Sequence, residues 1–132
     1  MKVVHSPLHA RHDGGKELHR GELVPCFEMP VRADYTLPCG TGWKEYSAAL
    51  EAALDVVGGF SPEALVVSLG VDTYEGDPIS AFKLATQHSP LMGRRLAELR
   101  LPTVFVQEGG YAVEEIGTNV AGVLEGFSRG GA

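Results

Sequence analysis

Residues Ala64–Asp72 read ALVVSLGVD, and residues Thr103–Tyr111 read TVFVQEGGY. Each segment begins with a short apolar run rich in β-branched residues, which is typical of a strand covered on both faces of a sheet. In each segment the apolar run is followed by glycine and then by a residue whose side chain could bind or catalyse, Asp72 in the first segment and Tyr111 in the second. A carboxylate and a phenol therefore follow two predicted strands where those strands end.

We predict the strands at Ala64–Leu69 and Thr103–Val106, and three amphipathic helices beside them, because apolar side chains recur at steps of three and four residues. The helical stripes are Trp43, Tyr46, Leu50, Leu54 and Val57, ending at Gly58-Gly59; Leu91, Met92, Leu96 and Leu99; and Val113, Ile116, Val120, Val123, Leu124 and Phe127. The order strand, helix, strand, helix predicts a right-handed βαβ unit with parallel strands. Both strand ends then lie at one edge, where open α/β sheets bind ligands.

The N-terminal third of the chain has a different pattern. Met1–Val4 can form a short strand, whereas Ser6 to Gly42 shows almost no periodicity and reads as a long loop. We predict one compact domain in three parts: an N-terminal strand and loop at 1–35, an α/β segment at 36–128 and a flexible tail at 129–132.

Composition limits the classes of partner. The 132 residues include 11 Lys and Arg against 17 Asp and Glu, a formal net charge of -6, which argues against nucleic acid and anionic membranes as partners and suits a cationic substrate. The sequence shows neither a membrane-spanning apolar run nor a secretory signal, so we expect a cytoplasmic protein. Cys26 and Cys39 are then expected to be reduced thiols.

Two kinds of role are open for the residues that follow the strands. Asp72 could bind a metal ion, or could simply cap its turn through nearby backbone amides. Tyr111 could donate a hydrogen bond to a developing oxyanion, or could anchor the turn by packing. Gly109 and Gly110 have no side chains and would let the backbone approach a ligand closely.

The remaining polar residues are expected to be solvated. Glu75 and Asp77 precede Pro78 and are interpreted as solvated loop charges rather than ligands. His9 and His12, with Asp13, have a spacing that could share a metal ion on one helical turn, but no helical pattern surrounds them, so we expect them to be solvated loop histidines. His88 is expected at the surface.

Longer segments resemble a known family. VVSLGVDTYEGDPISAFKL (66–84), MGRRLAELRLPTVFVQEGGY (92–111) and EIGTNVAGVLEGF (115–127) resemble the C-terminal part of the histone deacetylase superfamily. GKELHRGELVPCFEMPVRADY (15–35) is similar to the opening segment of the bacterial acetylpolyamine amidohydrolases. The resemblance implies an α/β fold, a truncated arginase/deacetylase-like three-layer architecture with a small parallel sheet and flanking helices. It also implies one zinc ion and hydrolysis of acetylated amines to acetate and free amine.

The resemblance also implies roles for individual residues. Asp72 matches a zinc ligand, and Tyr111 matches the tyrosine that polarises the carbonyl of the amide. The substrate-binding residues are then Glu17, Glu22, Gly109 and Gly110, where the two glutamates would favour an acetylated polyamine or another cationic amine at the rim of the site.

The central part of the family pattern is missing from this sequence. It contains neither the family's Asp-x-His zinc ligands nor its His-His pair, and the segment that resembles the family's opening is joined near Ala33 to Thr36 to the segment that resembles its late helix. A single carboxylate holds zinc too weakly for catalysis, so we expect little or no deacetylase activity from the chain alone. The alternative is a non-catalytic relic or regulatory domain that binds cationic amines or a full-length homologue. Unpaired sheet edges also favour a homo-oligomer.

Overall fold

A computed structural model describes residues 37–131 and the backbone of two short strands at 16–19 and 22–25. The chain divides into two compact units, Met1–Thr36 and Leu37–Ala132. In the first unit, β1 (Lys16–His19) and β2 (Glu22–Pro25) form an antiparallel hairpin. The prediction of one long loop is therefore wrong at this hairpin, and the predicted strand at Met1–Val4 lies outside the described residues.

The second unit contains the predicted βαβ arrangement. Its elements are α1 (Trp43–Phe60), β3 (Leu65–Leu69), a 3-10 turn (Thr86–His88), α2 (Ser89–Ala97), β4 (Thr103–Gln107) and α3 (Ile116–Gly130). Strands β3 and β4 pair in parallel, from Leu65 opposite Thr103 to Leu69 opposite Gln107. The parallel order predicted from the two apolar runs is confirmed. Among the described helices, none combines the length and hydropathy that a membrane span requires.

Two helices extend further than the sequence pattern predicts. Helix α1 continues past Gly58-Gly59 to Phe60, where Ser61 takes a left-handed conformation and donates its N–H to the Gly58 carbonyl. Helix α3 ends at Gly130, so Arg129 and Gly130, predicted to lie in a flexible tail, are helical. Glycine within a helix costs only about 0.5–1 kcal/mol relative to alanine, so a glycine does not by itself end a helix.

The core lies between one face of the sheet and α3. Leu69, Val71 and Val123 are buried together. Phe105 of β4 meets Phe127 of α3 edge-on, with ring centroids 5.1 Å apart, a favoured geometry for aromatic pairs. Of the apolar stripe predicted for the last helix, Ile116, Val120, Val123 and Phe127 cover the sheet. The prediction is wrong for Val113, which precedes the helix and is 83% exposed, and for Leu124, which is 42% exposed.

The opposite face of the sheet is open in the described part of the chain. Val66 is 70% exposed and its register partner Val104 is 59% exposed, and Val106 is half exposed as well. The prediction that these strands are covered on both faces is wrong for residues 37–131, because α3 covers only the face formed by Val67, Leu69 and Phe105. Association of two copies stays a prediction.

His88 joins the start of α1 to the start of α2, although the sequence predicts it at the surface. Its ring stacks on Trp43 at a centroid distance of 4.9 Å, and its Nδ1 accepts the Ala85 N–H at 3.0 Å. His88 is half-buried as a result, and its side chain satisfies an amide in the turn before α2.

Close contact between α2 and α3 gives a first prediction. A Cβ at Gly93 would overlap the Val123 carbonyl, and a Cβ at Gly126 would overlap the Pro90 carbonyl. Gly93→Ala or Gly126→Ala is expected to lower the free energy of unfolding by about 1–3 kcal/mol, because the added methyl group forces the helices apart. Urea unfolding followed by circular dichroism measures this change.

Gly117 is the matched control, since it also lies on α3 but an added Cβ there meets no described atom within 4 Å. Gly117→Ala should leave stability unchanged or raise it by up to about 1 kcal/mol. Wild-type stability in both Gly93→Ala and Gly126→Ala would show that the helices do not approach this closely.

Candidate functional site

The ends of β3 and β4 lie side by side at one edge of the sheet. Beyond the last paired residues, the Glu108 N–H donates to the Leu69 carbonyl at 3.0 Å. A Cβ at Gly109 would lie 3.1 Å from Asp72 Oδ2, so the Asp72 carboxylate lies against the backbone that follows β4. The structure thus places Asp72 beside the segment that leads to Tyr111.

The two glycines before Tyr111 have conformational and packing reasons for their identity. Gly109 has φ +60° and Gly110 has φ +95°, a region that disfavours residues with a side chain. A Cβ at Gly110 would also lie 2.6 Å from the Val71 side chain. The glycines therefore allow the two strand ends to approach each other, and their contact with substrate stays a prediction.

Asp72 lies in a negatively charged environment. Burial raises the pKa of its carboxyl, a hydrogen bond from its own backbone amide lowers it, and the charges of Asp77 and Glu108 raise it further, with a net upward shift. Burial and then the charge of Asp72 also raise the pKa of the Tyr46 phenol, a residue that the sequence identifies only as part of an apolar stripe. A cation beside Asp72 would relieve the repulsion among these carboxylates.

Asp77 is buried, at 6% exposure, and the prediction of a solvated loop charge is wrong. Its Oδ2 accepts the Tyr111 N–H at 2.6 Å and its Oδ1 accepts the Ile79 N–H at 3.0 Å. Burial raises the pKa of this carboxyl, but the backbone N–H groups lower it by more, so the net shift is downward. Glu75 is exposed, as expected for a solvated charge.

A shallow depression of about 340 Å³ lies beside Asp72. Asp72 supplies the negative charge in a lining that is otherwise apolar or small: Leu37, Cys39, Thr73, Ile79, Ser80, Ala81 and Phe82. Tyr111 lies outside this lining, and its side chain is half exposed. The edge therefore brings Asp72 close to the backbone before Tyr111 without placing both side chains in one described cavity.

The described residues do not fit a catalytic zinc site. Such a site needs about three protein ligands, and in the described part of the chain no group of three His, Cys, Asp or Glu side chains could hold a metal ion. Both Asp77 oxygens already accept backbone N–H groups, and the exposed Glu108 accepts the Ser68 hydroxyl, which leaves Asp72 as the candidate ligand at this edge.

The two glutamates predicted at the rim belong to the other unit. Glu17 lies in β1 opposite Val24, and Glu22 lies in β2 opposite His19. Their side chains are outside what the structure describes, as are those of His9, His12, His19 and Cys26. A role for Glu17 and Glu22 in substrate binding stays a prediction.

Comparison with known proteins agrees with this fold. Residues 28–127 match the family described as "Histone deacetylase domain". The chain is 53% identical over 94 residues to acetylpolyamine amidohydrolase 1 of Pseudomonas aeruginosa, covering 71% of this chain and 27% of that protein. It is 49% identical over 96 residues to acetylpolyamine amidohydrolase of Mycoplana ramosa, covering 73% and 28%.

Solved structures show the same relationship. The crystal structure of acetylpolyamine aminohydrolase from Burkholderia pseudomallei matches with a TM-score of 0.72 and 35% identity, covering 76% of this chain and 30% of that one. The histone deacetylase Clr3 matches with a TM-score of 0.63 and 27% identity, over 68% and 16%. The α/β deacetylase-like fold is confirmed, and the chain spans little more than a quarter of the curated relatives above.

The repulsion around Asp72 gives a second prediction. A carboxyl whose pKa is raised in the folded state costs stability once the pH exceeds its unfolded value of about 3.9. Asp72→Asn is therefore expected to raise the free energy of unfolding at pH 7 and to have little effect near pH 3. Because Asp72 is half exposed, solvent screening limits the gain to a few tenths of a kcal/mol, about 1 at most.

Urea unfolding with a chelator present, at both pH values and at low and high salt, measures this effect. Glu75→Gln is the control, since it removes an exposed charge from the same loop. Reduced stability of Asp72→Asn at pH 7 would contradict the repulsion.

Proposed function

Because this chain belongs to the histone deacetylase domain family, we propose that it carries part of the active site of an amidohydrolase that acts on acetylated amines. The parallel pairing of β3 and β4, which sets Asp72 against the backbone leading to Tyr111, is the observation that carries the proposal. The shared edge brings the Asp72 carboxylate close to the backbone that leads to Tyr111, which carries the phenol.

Each group has a defined part in the proposed site. The Tyr111 hydroxyl, on a half-exposed side chain, donates a hydrogen bond to the amide carbonyl oxygen as negative charge develops there. Asp72, beside the carboxylates of Asp77 and Glu108, supplies the negative potential that holds a cation. The zinc ion expected from the family needs further ligands from residues beyond the described part of the chain, or from another chain.

An acetylated polyamine is the proposed class of substrate. The relatives at about half identity bear the name acetylpolyamine amidohydrolase, and a chain of net charge -6 attracts cationic amines. Glu17 and Glu22 would add to this attraction if they reach the rim. A cytoplasmic location and a homo-oligomer are further expectations, and light scattering of the purified protein measures the latter.

A non-catalytic role is the second candidate, and the lack of a metal-binding cluster among the described residues favours it. In this role the chain binds a cationic amine or a full-length homologue through the same edge. The zinc content of purified protein separates the two candidates, since one tightly bound zinc per chain supports the enzyme and none supports the binding domain.

The activity of the isolated chain gives a third prediction. With zinc supplied, this chain is expected to release acetate from an acetylated diamine no faster than buffer, because one carboxylate does not complete a metal site. A coupled acetate assay measures the rate, with acetylpolyamine amidohydrolase 1 of Pseudomonas aeruginosa as the positive control. Acetate release that is lost in Asp72→Ala or Tyr111→Phe would contradict this expectation.

Binding of an amine gives a fourth prediction, which needs no catalysis. A free diamine is expected to bind weakly, and Asp72→Asn should weaken binding by about tenfold or less, as for a partly exposed charge pair. Titration followed by NMR at low and high salt measures the effect, and Glu75→Gln serves as the control. Equal affinity in Asp72→Asn and wild type would place the cation elsewhere.

A further inference from the structure

Backbone amides, rather than a basic side chain, compensate the buried charge of Asp77. Among the described residues, the ion pairs involve Arg95 and Arg129 and leave Asp77 out. Its carboxylate is instead directed at N–H groups of Tyr111 and Ile79, with Ala112 and Ser80 nearby. A buried anion in such a nest of amides is held in one position, because moving it would leave the charge unpaired.

The two oxygens of Asp77 bond to different parts of the chain. Oδ1 accepts the N–H of Ile79, two residues further on, which closes a local turn. Oδ2 accepts the N–H of Tyr111, 34 residues away, at the end of the other strand. One carboxylate therefore connects the loop after β3 to the loop after β4, and the local turn alone would require only Oδ1.

The hydrogen bond to Asp77 matters for Tyr111 because two glycines precede the tyrosine. Gly109 and Gly110 adopt positive φ angles and, as glycines, could adopt many other conformations. The direction in which the Tyr111 side chain leaves the backbone is therefore not fixed from its N-terminal side. The hydrogen bond to Asp77 fixes the first residue after the glycines.

We propose that Asp77 is the positioning residue of Tyr111, holding the tyrosine backbone so that the phenol stays at the edge shared with Asp72. The proposal deepens the function proposed above and rests on it, since there the Tyr111 hydroxyl meets the amide carbonyl. Asp77 itself touches no reacting atom in this scheme. It acts through the Tyr111 amide.

Asp77→Asn provides the sharpest test, because asparagine keeps one acceptor oxygen and replaces the other with an N–H₂ donor. The hydrogen bond from the Ile79 N–H is local, so the oxygen of the new asparagine would keep it. The N–H₂ group of that asparagine would then face the Tyr111 N–H, and two donors cannot form a hydrogen bond with each other. Amide hydrogen exchange on the full chain, measured by NMR without metal or substrate, should accelerate about tenfold or more at Tyr111, the factor expected for losing a charged hydrogen bond. Exchange at Ile79 should change much less.

Glu75→Gln is the matched control, exposed in the same loop, and should leave exchange at both amides unchanged. Two outcomes would overturn the proposal: unchanged Tyr111 exchange in Asp77→Asn, or equal acceleration of Ile79, Tyr111 and core amides such as Val123, which indicates a general loss of stability.

A measurement on the wild type keeps the test valid if Asp77→Asn does not fold. The Tyr111 amide proton is hydrogen-bonded to a carboxylate, so its chemical shift is expected to lie far downfield among those of the backbone amides. A random-coil shift would overturn the proposal. Since neither measurement uses catalysis or amine binding, equal diamine affinity in Asp72→Asn and wild type, together with a Tyr111-specific exchange effect, would count against the proposed function and leave the Asp77 contact standing.

Discussion

Five residues of β3 pair in parallel with five residues of β4, ending with Leu69 opposite Gln107. Because the strands run in the same direction, their C-terminal ends lie side by side at one edge of the sheet. Every feature of the candidate site depends on this shared edge. The Glu108 amide extends the pairing by one bond, and the glycines on both strand ends remove the side chains that would hold the loops apart. An antiparallel pair of the same composition would place Asp72 and Tyr111 at opposite ends of the sheet.

Three carboxylates lie near this edge, and they differ in burial and in hydrogen bonding. Asp77 is buried, and backbone N–H groups compensate its negative charge. Glu108 is exposed and accepts the Ser68 hydroxyl at 2.9 Å. Asp72 is half-buried beside both, and its pKa is raised. Asp72 is thus the carboxylate with most to gain from a bound cation, while the described residues supply too few other ligands to hold a metal. This combination is consistent with part of an active site rather than a whole one.

The sequence predicts the features that local pattern determines. Two β-branched runs separated by a helical stripe predict parallel strands, and the glycine after each run predicts a shared edge. The hydrogen bond between Asp77 and the Tyr111 N–H could not be predicted, because the two residues lie 34 positions apart in the sequence and the neighbours of Asp77, Gly76 and Pro78, indicate only a turn.

Other misses have equally specific causes. The β1–β2 hairpin has strands of only four residues, too short for alternation to be recognised, and Arg20-Gly21 between them lacks the Asn or Asp before Gly that marks a two-residue hairpin turn most clearly. Val66 and Val104 are apolar enough for a buried face, but the elements that would cover them cannot be read from the strand itself. The resemblance to deacetylases rests on several long segments rather than on one short motif. The family match accordingly covers residues 28–127.

The contact between Asp72 and the backbone after β4 tests the central claim most directly. In the wild-type protein, a nuclear Overhauser cross-peak is expected between the Asp72 β protons and the Gly109 α protons, because a Cβ at Gly109 would lie 3.1 Å from Asp72 Oδ2. Cross-peaks between β3 and β4 serve as the internal reference. If those reference peaks are present and the Asp72–Gly109 peak is absent, the two strand ends do not form a common site.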